Sequence, residues 1–273
     1  MTRSLSPSTP WPMPPFVWAS IVVHVVAIGA AVLMPGALPW AIGMVVLNHA
    51  LITGIGLTPR SHWLGRNVTR LPQAAIDRCE VALTIDDGPD PEVTQQVLDL
   101  LDAHGQKATF FCIAERVAAH PQLARDIVAR GHSIQNHTTR HRHNFSLLGQ
   151  RGYTAEIGRA QDMLAEATGQ RPTCFRAPAG LRNPFLAPVL HRLGLTLVSW
   201  TRRGFDTRER DPAKVLARLV RGLRAGDILL LHDGHAARTA AGRPVVLEVL
   251  PSLLQQIRNA GLRAVTVPQG LSE

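Results

Sequence analysis

Two adjacent carboxylates, two histidines four residues apart and a further histidine behind an apolar run are the groups in this 273-residue chain best placed to do chemistry. Asp86 and Asp87 follow Val81-Ala82-Leu83-Thr84-Ile85. Neighbouring carboxylates repel and point apart, so one can hold a metal ion while the other acts as a base. A solvated turn with a helix-capping Asp explains the pair about as well. His137 and His141 bracket Thr138-Thr139-Arg140. On one helical turn this spacing puts both imidazoles on the same side, and such a pair plus a distant carboxylate is a common zinc set that leaves positions open for water. Surface histidines in a polar loop are the competing reading, and His132 and His143 fit structural roles better. Arg176 ends a short strand ahead of Ala177-Pro178-Ala179-Gly180, where a guanidinium can orient a carboxylate or form an ordinary salt bridge. His232 follows the apolar Leu230-Leu231, where its pKa can sit near working pH, and Asp206 is a candidate partner that orients it. Each fragment is weak alone; their joint placement at strand ends is not.

The elements that must position these groups alternate. Strands are expected at residues 81–85, 108–113, 195–200, 228–231 and 262–267, with others beginning at His132 and ending before Arg176. Helices are expected from Asp90-Pro91-Glu92 to Gly105, through Leu123 and Ile127 to Gly131, from Asn183-Pro184 to Gly194, from Asp211-Pro212 to before Gly226, and over residues 245–257 up to Gly261. Pro and acidic residues in first turns and glycine stops mark these limits. The alternation predicts an α/β fold with about seven parallel strands covered by helices, enough to close a barrel, although periodicity does not separate a barrel from an open doubly wound sheet. Asp86-Asp87-Gly88-Pro89 after the first strand replaces the glycine-rich dinucleotide turn and argues against that chemistry. In such folds catalytic groups gather where strands end.

Composition narrows the class further. Hydrophobic residues make up 45% of the chain, which excludes disorder as the dominant state. Of 29 cations against 20 anions, 27 are Arg; they are scattered and form no run that tracks a nucleic-acid backbone, so no nucleic-acid partner is expected. Three cysteines exclude a disulfide scaffold or a four-thiolate zinc site, and Cys79, Cys112 and Cys174 read as small core residues. Residues 16–34 and 38–57 carry no charge, and each is long enough to cross a bilayer as a helix. A two-helix membrane hairpin is the first reading. A cleaved signal peptide would have a long, nearly uncharged leading region and be followed by a second apolar stretch; two buried helices of a soluble protein are the third reading. Arg3 before the hairpin and Arg60, Arg66 and Arg70 after it place both ends in the cytoplasm, with a periplasmic catalytic domain as the alternative. The chain then divides into a membrane anchor and linker, residues 1–72, with Trp63 at the interface, and a catalytic domain, residues 73–273.

Residues 80–268 resemble the polysaccharide deacetylase family, the NodB-homology or carbohydrate esterase family 4 domain. Thr84 to Pro89 is similar to its first motif, His137 to His141 to its second, Arg176 to Gly180 to its third, Asp206 to part of its fourth, and Leu230-Leu231-His232 to its fifth. The resemblance implies a distorted (β/α) barrel of about seven parallel strands. It also implies one divalent metal ion, zinc before cobalt or nickel, held by Asp87, His137 and His141. Asp86 becomes the base, paired with Arg176, and His232 the acid, tuned by Asp206. Ala179, Leu230 and Thr207 line the substrate, Leu230 at the acyl pocket and the Ala179 N–H toward the oxyanion. Two departures alter the groove: Arg203 and Thr207 stand where the family carries Asp and Trp, and Ala179 where it carries an aromatic residue. The implied activity is metal-dependent removal of an N-acyl group, N-acetyl first, from an amino sugar of a membrane-associated glycan or lipid-linked saccharide at a bacterial inner membrane. Deformylation of a lipid-linked sugar is the alternative. An inactive membrane-anchored glycan-binding module is the alternative from another class, against which stands the presence of every metal ligand and of the base.

Overall fold

The computed structural model describes residues 10–272. The two apolar stretches form α1 (Pro15–Leu33) and α2 (Leu38–Gly56), joined by a 3-10 turn at Pro35–Ala37. A 19-residue helix rises about 28 Å, close to the thickness of a bilayer's hydrocarbon core. Mean hydropathy reaches 2.4 and 1.6 in the two spans, and only 11% of each is buried. Val25, Val32, Trp40 and Leu47 are exposed, so the rest of the described chain does not cover these helices as it would core helices. Where they face one another, Ser20 Oγ donates to Asn48 Oδ1 (3.1 Å), and the Nε2 atoms of His24 and His49 lie 3.2 Å apart.

The remaining elements alternate as the sequence predicts: α3 (Gln73–Asp77), β1 (Glu80–Asp86), α4 (Thr94–Ala103), β2 (Thr109–Cys112), α5 (Ala114–Ala119), α6 (Pro121–Ala129), β3 (Ser133–Asn136), α7 (Gln150–Thr168), β4 (Cys174–Phe175), α8 (Leu186–Arg192), β5 (Thr196–Leu197), β6 (Arg202–Arg203), α9 (Pro212–Val220), β7 (Ile228–His232), α10 (Val245–Asn259), β8 (Arg263–Val265) and α11 (Val267–Leu271). The strands are parallel in the order β5-β4-β3-β2-β1-β7-β6, with β8 pairing the first half of β1. Seven strands curl into the half-barrel that alternation alone left undecided between a barrel and an open sheet.

Side-chain alternation explains the two faces. Val81, Leu83 and Ile85 of β1 join Leu229 and Leu231 of β7 under the helices, while Ala82, Ile228 and Leu230 point to the interior with Phe111, Val198 and Trp200. By the same two-residue period, Asp86 shares the interior face with Ala82, and His232 shares it with Leu230.

Several boundaries differ from expectation, each for a local reason. The helix after β1 begins at Thr94 rather than at Asp90, because Asp90 Oδ1 accepts from Glu92 N and Val93 N and caps a separate turn. The expected strand at 195–200 shortens to two residues; Val198 N still donates to Phe175 O of β4, and Val198 also bridges Val68. The last strand stops at Val265, because the Thr266 hydroxyl accepts from Gln269 N and starts α11. The short helices α3 and α11, the 19-residue α7 and the short β6 are additions to the predicted set.

Residues 58–72 lie along the open side of the barrel. Val68 N donates to Leu197 O, Leu71 N donates to Gly226 O, and Leu64 is fully buried. The exit of α2 is fastened to the loop after β4 and to the segment between β5 and β6: Arg182 N donates to Gly56 O (3.2 Å), Ser199 Oγ donates to Pro59 O (2.8 Å), and Arg60 Nη1 donates to Thr201 O (3.1 Å). Gly180 makes this approach possible. Its φ is +74°, and a Cβ there would lie 2.5 Å from Pro59 Cβ and 2.8 Å from Trp200 Cη2. Gly180→Ala should therefore cost about 1–3 kcal/mol of stability through overpacking and a strained φ. A thermal melt equal to that of the parent protein would show that the contact is not tight.

Candidate active site

The C-terminal ends of β1, β3, β4 and β7 meet at one mouth of the barrel. All seven residues of β1 are buried, so its last residue, Asp86, is carried into the interior and Asp87 turns away at φ 74°. Positive φ is costly for most side chains, and Asp tolerates it better than most. Of the six non-glycine residues with positive φ among the described residues, Asp87, Thr138, His141, Ala179 and Phe205 lie in loops at this mouth, as expected where function requires particular side-chain directions.

His137 and His141 do not share a helical turn. They lie in the loop after β3, where Thr138 (φ 70°) and His141 (φ 52°) reverse the chain. Thr138 N donates to Asn136 Oδ1 and His141 N donates to Thr138 Oγ1, both at 2.8 Å, which holds the reversal. The i,i+4 spacing thus brings the rings together, 4.9 Å between centroids, by a route different from the helical one. His137 Nε2 and His141 Nε2 lie 3.2 and 3.3 Å from Asp87 Oδ1, and one ligand atom from each of the three residues falls within 4.8 Å of the others.

These three residues fit a metal ion on the evidence of their hydrogen bonds. His137 Nδ1 is 2.8 Å from Arg176 O; a carbonyl only accepts, so Nδ1 carries the proton and a neutral ring turns its Nε2 lone pair toward Asp87. Asp87 Oδ1 is buried without a hydrogen-bond partner. Two acceptors facing one another at this distance need a cation or an added proton between them. Burial disfavours a charged His137, but the Asp87 and Asp86 carboxylates outweigh it and raise its pKa, so the site draws positive charge to this point. Burial, reinforced by His137, lowers His141 to about 4, which leaves its ring neutral and able to ligate at neutral pH.

Asp86 is held from one side. Arg176, 1% exposed, donates from Nη1 to Asp86 Oδ1 (2.6 Å) and Thr84 Oγ1 (2.7 Å), from Nη2 to Ser199 O (2.9 Å), and from Nε to Val198 O (3.2 Å). Its guanidinium also lies 4.1 Å from the centre of the Phe111 ring. Asp86 Oδ2 is left facing the cluster, 4.0 Å from His137 Nε2. His232 Nδ1 is 2.9 Å from Asp206 Oδ1, and Asp206 Oδ2 accepts from His232 N (2.7 Å). Burial opposes a charged ring, yet Asp206 raises the His232 pKa to about 9.

Of the residues expected at the substrate, Leu230 is buried in the interior cluster, Ala179 is exposed at φ 54°, and Thr207 is half-buried beside Asp206. Arg203 lies over Trp200 (5.3 Å) and Phe205 (5.0 Å). Sequence reasoning passed over His235 and Asp233. His235 Nδ1 is 2.9 Å from Asp87 Oδ2. Asp233 is buried, and burial together with Asp87 raises its pKa to about 7 although Thr94 Oγ1 donates to it at 2.5 Å. The only sequence signal for either was position: Asp233 follows His232 directly and His235 lies three residues after it.

The profile of the polysaccharide deacetylase family matches residues 75–198. The chain is 31% identical over 191 residues to a peptidoglycan-N-acetylglucosamine deacetylase of Bacillus cereus, covering 69% of this chain and 86% of that one. It is 32% identical over 196 residues to a chitooligosaccharide deacetylase of Bradyrhizobium, covering 69% and 89%. Among solved structures, a family 4 carbohydrate esterase of Streptomyces lividans in complex with acetate is similar with a TM-score of 0.62 and 33% identity, covering 70% of this chain and 94% of that one.

Proposed function

Because the chain belongs to the polysaccharide deacetylase family, whose members hydrolyse N-acetyl amide bonds, we propose that it removes the N-acetyl group from N-acetylglucosamine units of a membrane-associated glycan or lipid-linked saccharide. The observation that carries this reading is the Asp87–His137–His141 cluster with Asp86 and His232 at the same barrel mouth. Asp87, His137 and His141 would hold a divalent ion, zinc by the fit of one oxygen and two imidazole nitrogens, with cobalt and nickel suited to the same donors; such an ion would supply the positive charge that polarises an acyl carbonyl and acidifies water.

The chain's own groups do the rest. Arg176 fixes Asp86 Oδ1, so Oδ2 is the oxygen that takes the proton from the attacking water. Asp206 holds His232 by Nδ1, which leaves Nε2 to deliver a proton to the departing amine. The Ala179 N–H, on a loop turned by its left-handed φ, supports the developing oxyanion. Leu230 closes the inner wall around the acyl methyl, and Thr207 lines the sugar beside Asp206.

The two helices anchor the enzyme in a bacterial inner membrane. Their length and hydropathy support this, and so do the bonds between the exit of α2 and the β4 loop, which a cleaved signal sequence would not retain. The arginines after α2 favour a cytoplasmic catalytic domain; a C-terminal reporter active only in the periplasm would overturn that placement. Measuring acetate and formate release from polymeric and lipid-linked N-acyl amino sugars tests the activity. Acetate from a membrane-associated substrate is expected. Formate alone would make the enzyme a deformylase, and release of neither by metal-loaded protein would leave a glycan-binding module.

The pH profile gives a further expectation. In the metal-free protein the Asp206–His232 pair contributes its full stability below pH 6.5 and loses it as pH rises through about 9. His232 acts as an acid only while protonated, so kcat/KM should fall on the alkaline side, with the midpoint below about 9 once a nearby cation opposes the ring's charge. Asp206→Asn removes the supporting carboxylate and should move that limb toward acid. An unmoved limb would dissociate His232 from the profile.

A further inference from the structure

The hydrogen bonds around His235 define its protonation. Arg116 Nη2 lies 3.2 Å from His235 Nε2. A guanidinium has donors only, so Nε2 accepts, and the ring's proton belongs on Nδ1. Nδ1 therefore donates to Asp87 Oδ2 at 2.9 Å. Arg116 also donates from Nη1 to Gly234 O (3.1 Å), which ties the loop carrying His235 to α5. Gly234 makes the close fit possible, since a Cβ there would overlap Asp87 O and Arg116 Nη1.

We propose that His235 is a positioning residue for the metal centre: it occupies Asp87 Oδ2, so that the carboxylate presents Oδ1 alone to the ion, and Arg116 fixes the tautomer that does this. The inference rests on the reading of Asp87, His137 and His141 as ligands. Asp87 would otherwise be free to rotate or to offer both oxygens. With one oxygen taken by a ring N–H, the other stands buried, without a donor, 3.2 and 3.3 Å from the two Nε2 atoms. His235 is not itself a ligand in this arrangement, because its two nitrogens face Asp87 Oδ2 and Arg116. Its side chain is half exposed, so the network is open to solvent on one side and its contribution should be moderate.

The test uses the full-length chain in detergent. Zinc affinity is measured by competition with a chromophoric chelator, and the visible spectrum of the cobalt form reports the inner coordination. His235→Ala should weaken zinc binding about 10–100-fold, the usual effect of losing such a support. His235→Asn, whose amide can donate from nearly the position of Nδ1, should restore affinity to within a few-fold, with the cobalt spectrum unchanged. Arg116→Ala should weaken binding less and add nothing in the His235→Ala background. Thermal melts of the metal-free proteins establish that each variant folds. Tight wild-type binding left unchanged by His235→Ala would overturn the positioning role alone. A His235→Asn protein as weak as His235→Ala, with an altered cobalt spectrum, would overturn it by making His235 a ligand. A wild-type chain that takes up no zinc would remove the ligand reading itself.

Discussion

Replacing His232 with alanine is expected to lower kcat by about 10²–10⁴-fold while the bound metal stays at one ion per chain. The ring is not part of the Asp87–His137–His141 cluster; its Nδ1 is held by Asp206, and its loss removes a proton donor without removing a ligand. His137→Ala should behave differently, losing metal and activity together, because Asp87 Oδ1 then faces one imidazole instead of two. Metal content by elemental analysis, measured beside steady-state rates, separates the two outcomes. A His137→Ala protein with full metal occupancy and full activity would refute the ligand assignment, and a fully active His232→Ala protein would refute the acid.

Arg176→Met should be as damaging to the fold as to the reaction. The guanidinium is buried and donates to Asp86, Thr84, Val198 and Ser199 at once. Methionine fills part of the volume but leaves Asp86 as a buried carboxylate without its cation, which typically costs about 3–5 kcal/mol. For a domain of this size that corresponds to a fall in Tm of roughly 6–20 °C. Removing the stranded charge should return part of the loss, so the Arg176→Met, Asp86→Asn double variant should melt higher than Arg176→Met alone while remaining inactive. If the single variant melts with the parent protein, the interior tolerates the bare carboxylate and the pair's role is confined to catalysis.

The parts of the site that were legible in the sequence are those in which type and place coincide. An apolar run ending in Asp86-Asp87 reads as a buried strand delivering carboxylates to its end, and β1 does this. His232 after Leu230-Leu231 reads the same way. The histidine pair was legible by type and not by geometry: spacing suggested a helix, whereas left-handed residues at 138 and 141 close the loop, and nothing in the letters Thr and His announces such a backbone. His235 was hidden because its partner Asp87 is 148 positions away in the chain. The helix α7 was hidden for a different reason. Its buried face is Tyr153, Ile157, Ala160, Gln161 and Leu164, in which a small and a polar residue interrupt the apolar stripe. Gln161 is buried because it bonds Asn136 and Pro172 O, a tertiary requirement that periodicity does not carry.

The bonds from Arg182 to Gly56 and from Ser199 to Pro59 leave no slack tether between the hairpin and the barrel mouth. With the hairpin seated in a bilayer, the mouth would therefore ride at one height, like a plane iron set in its stock.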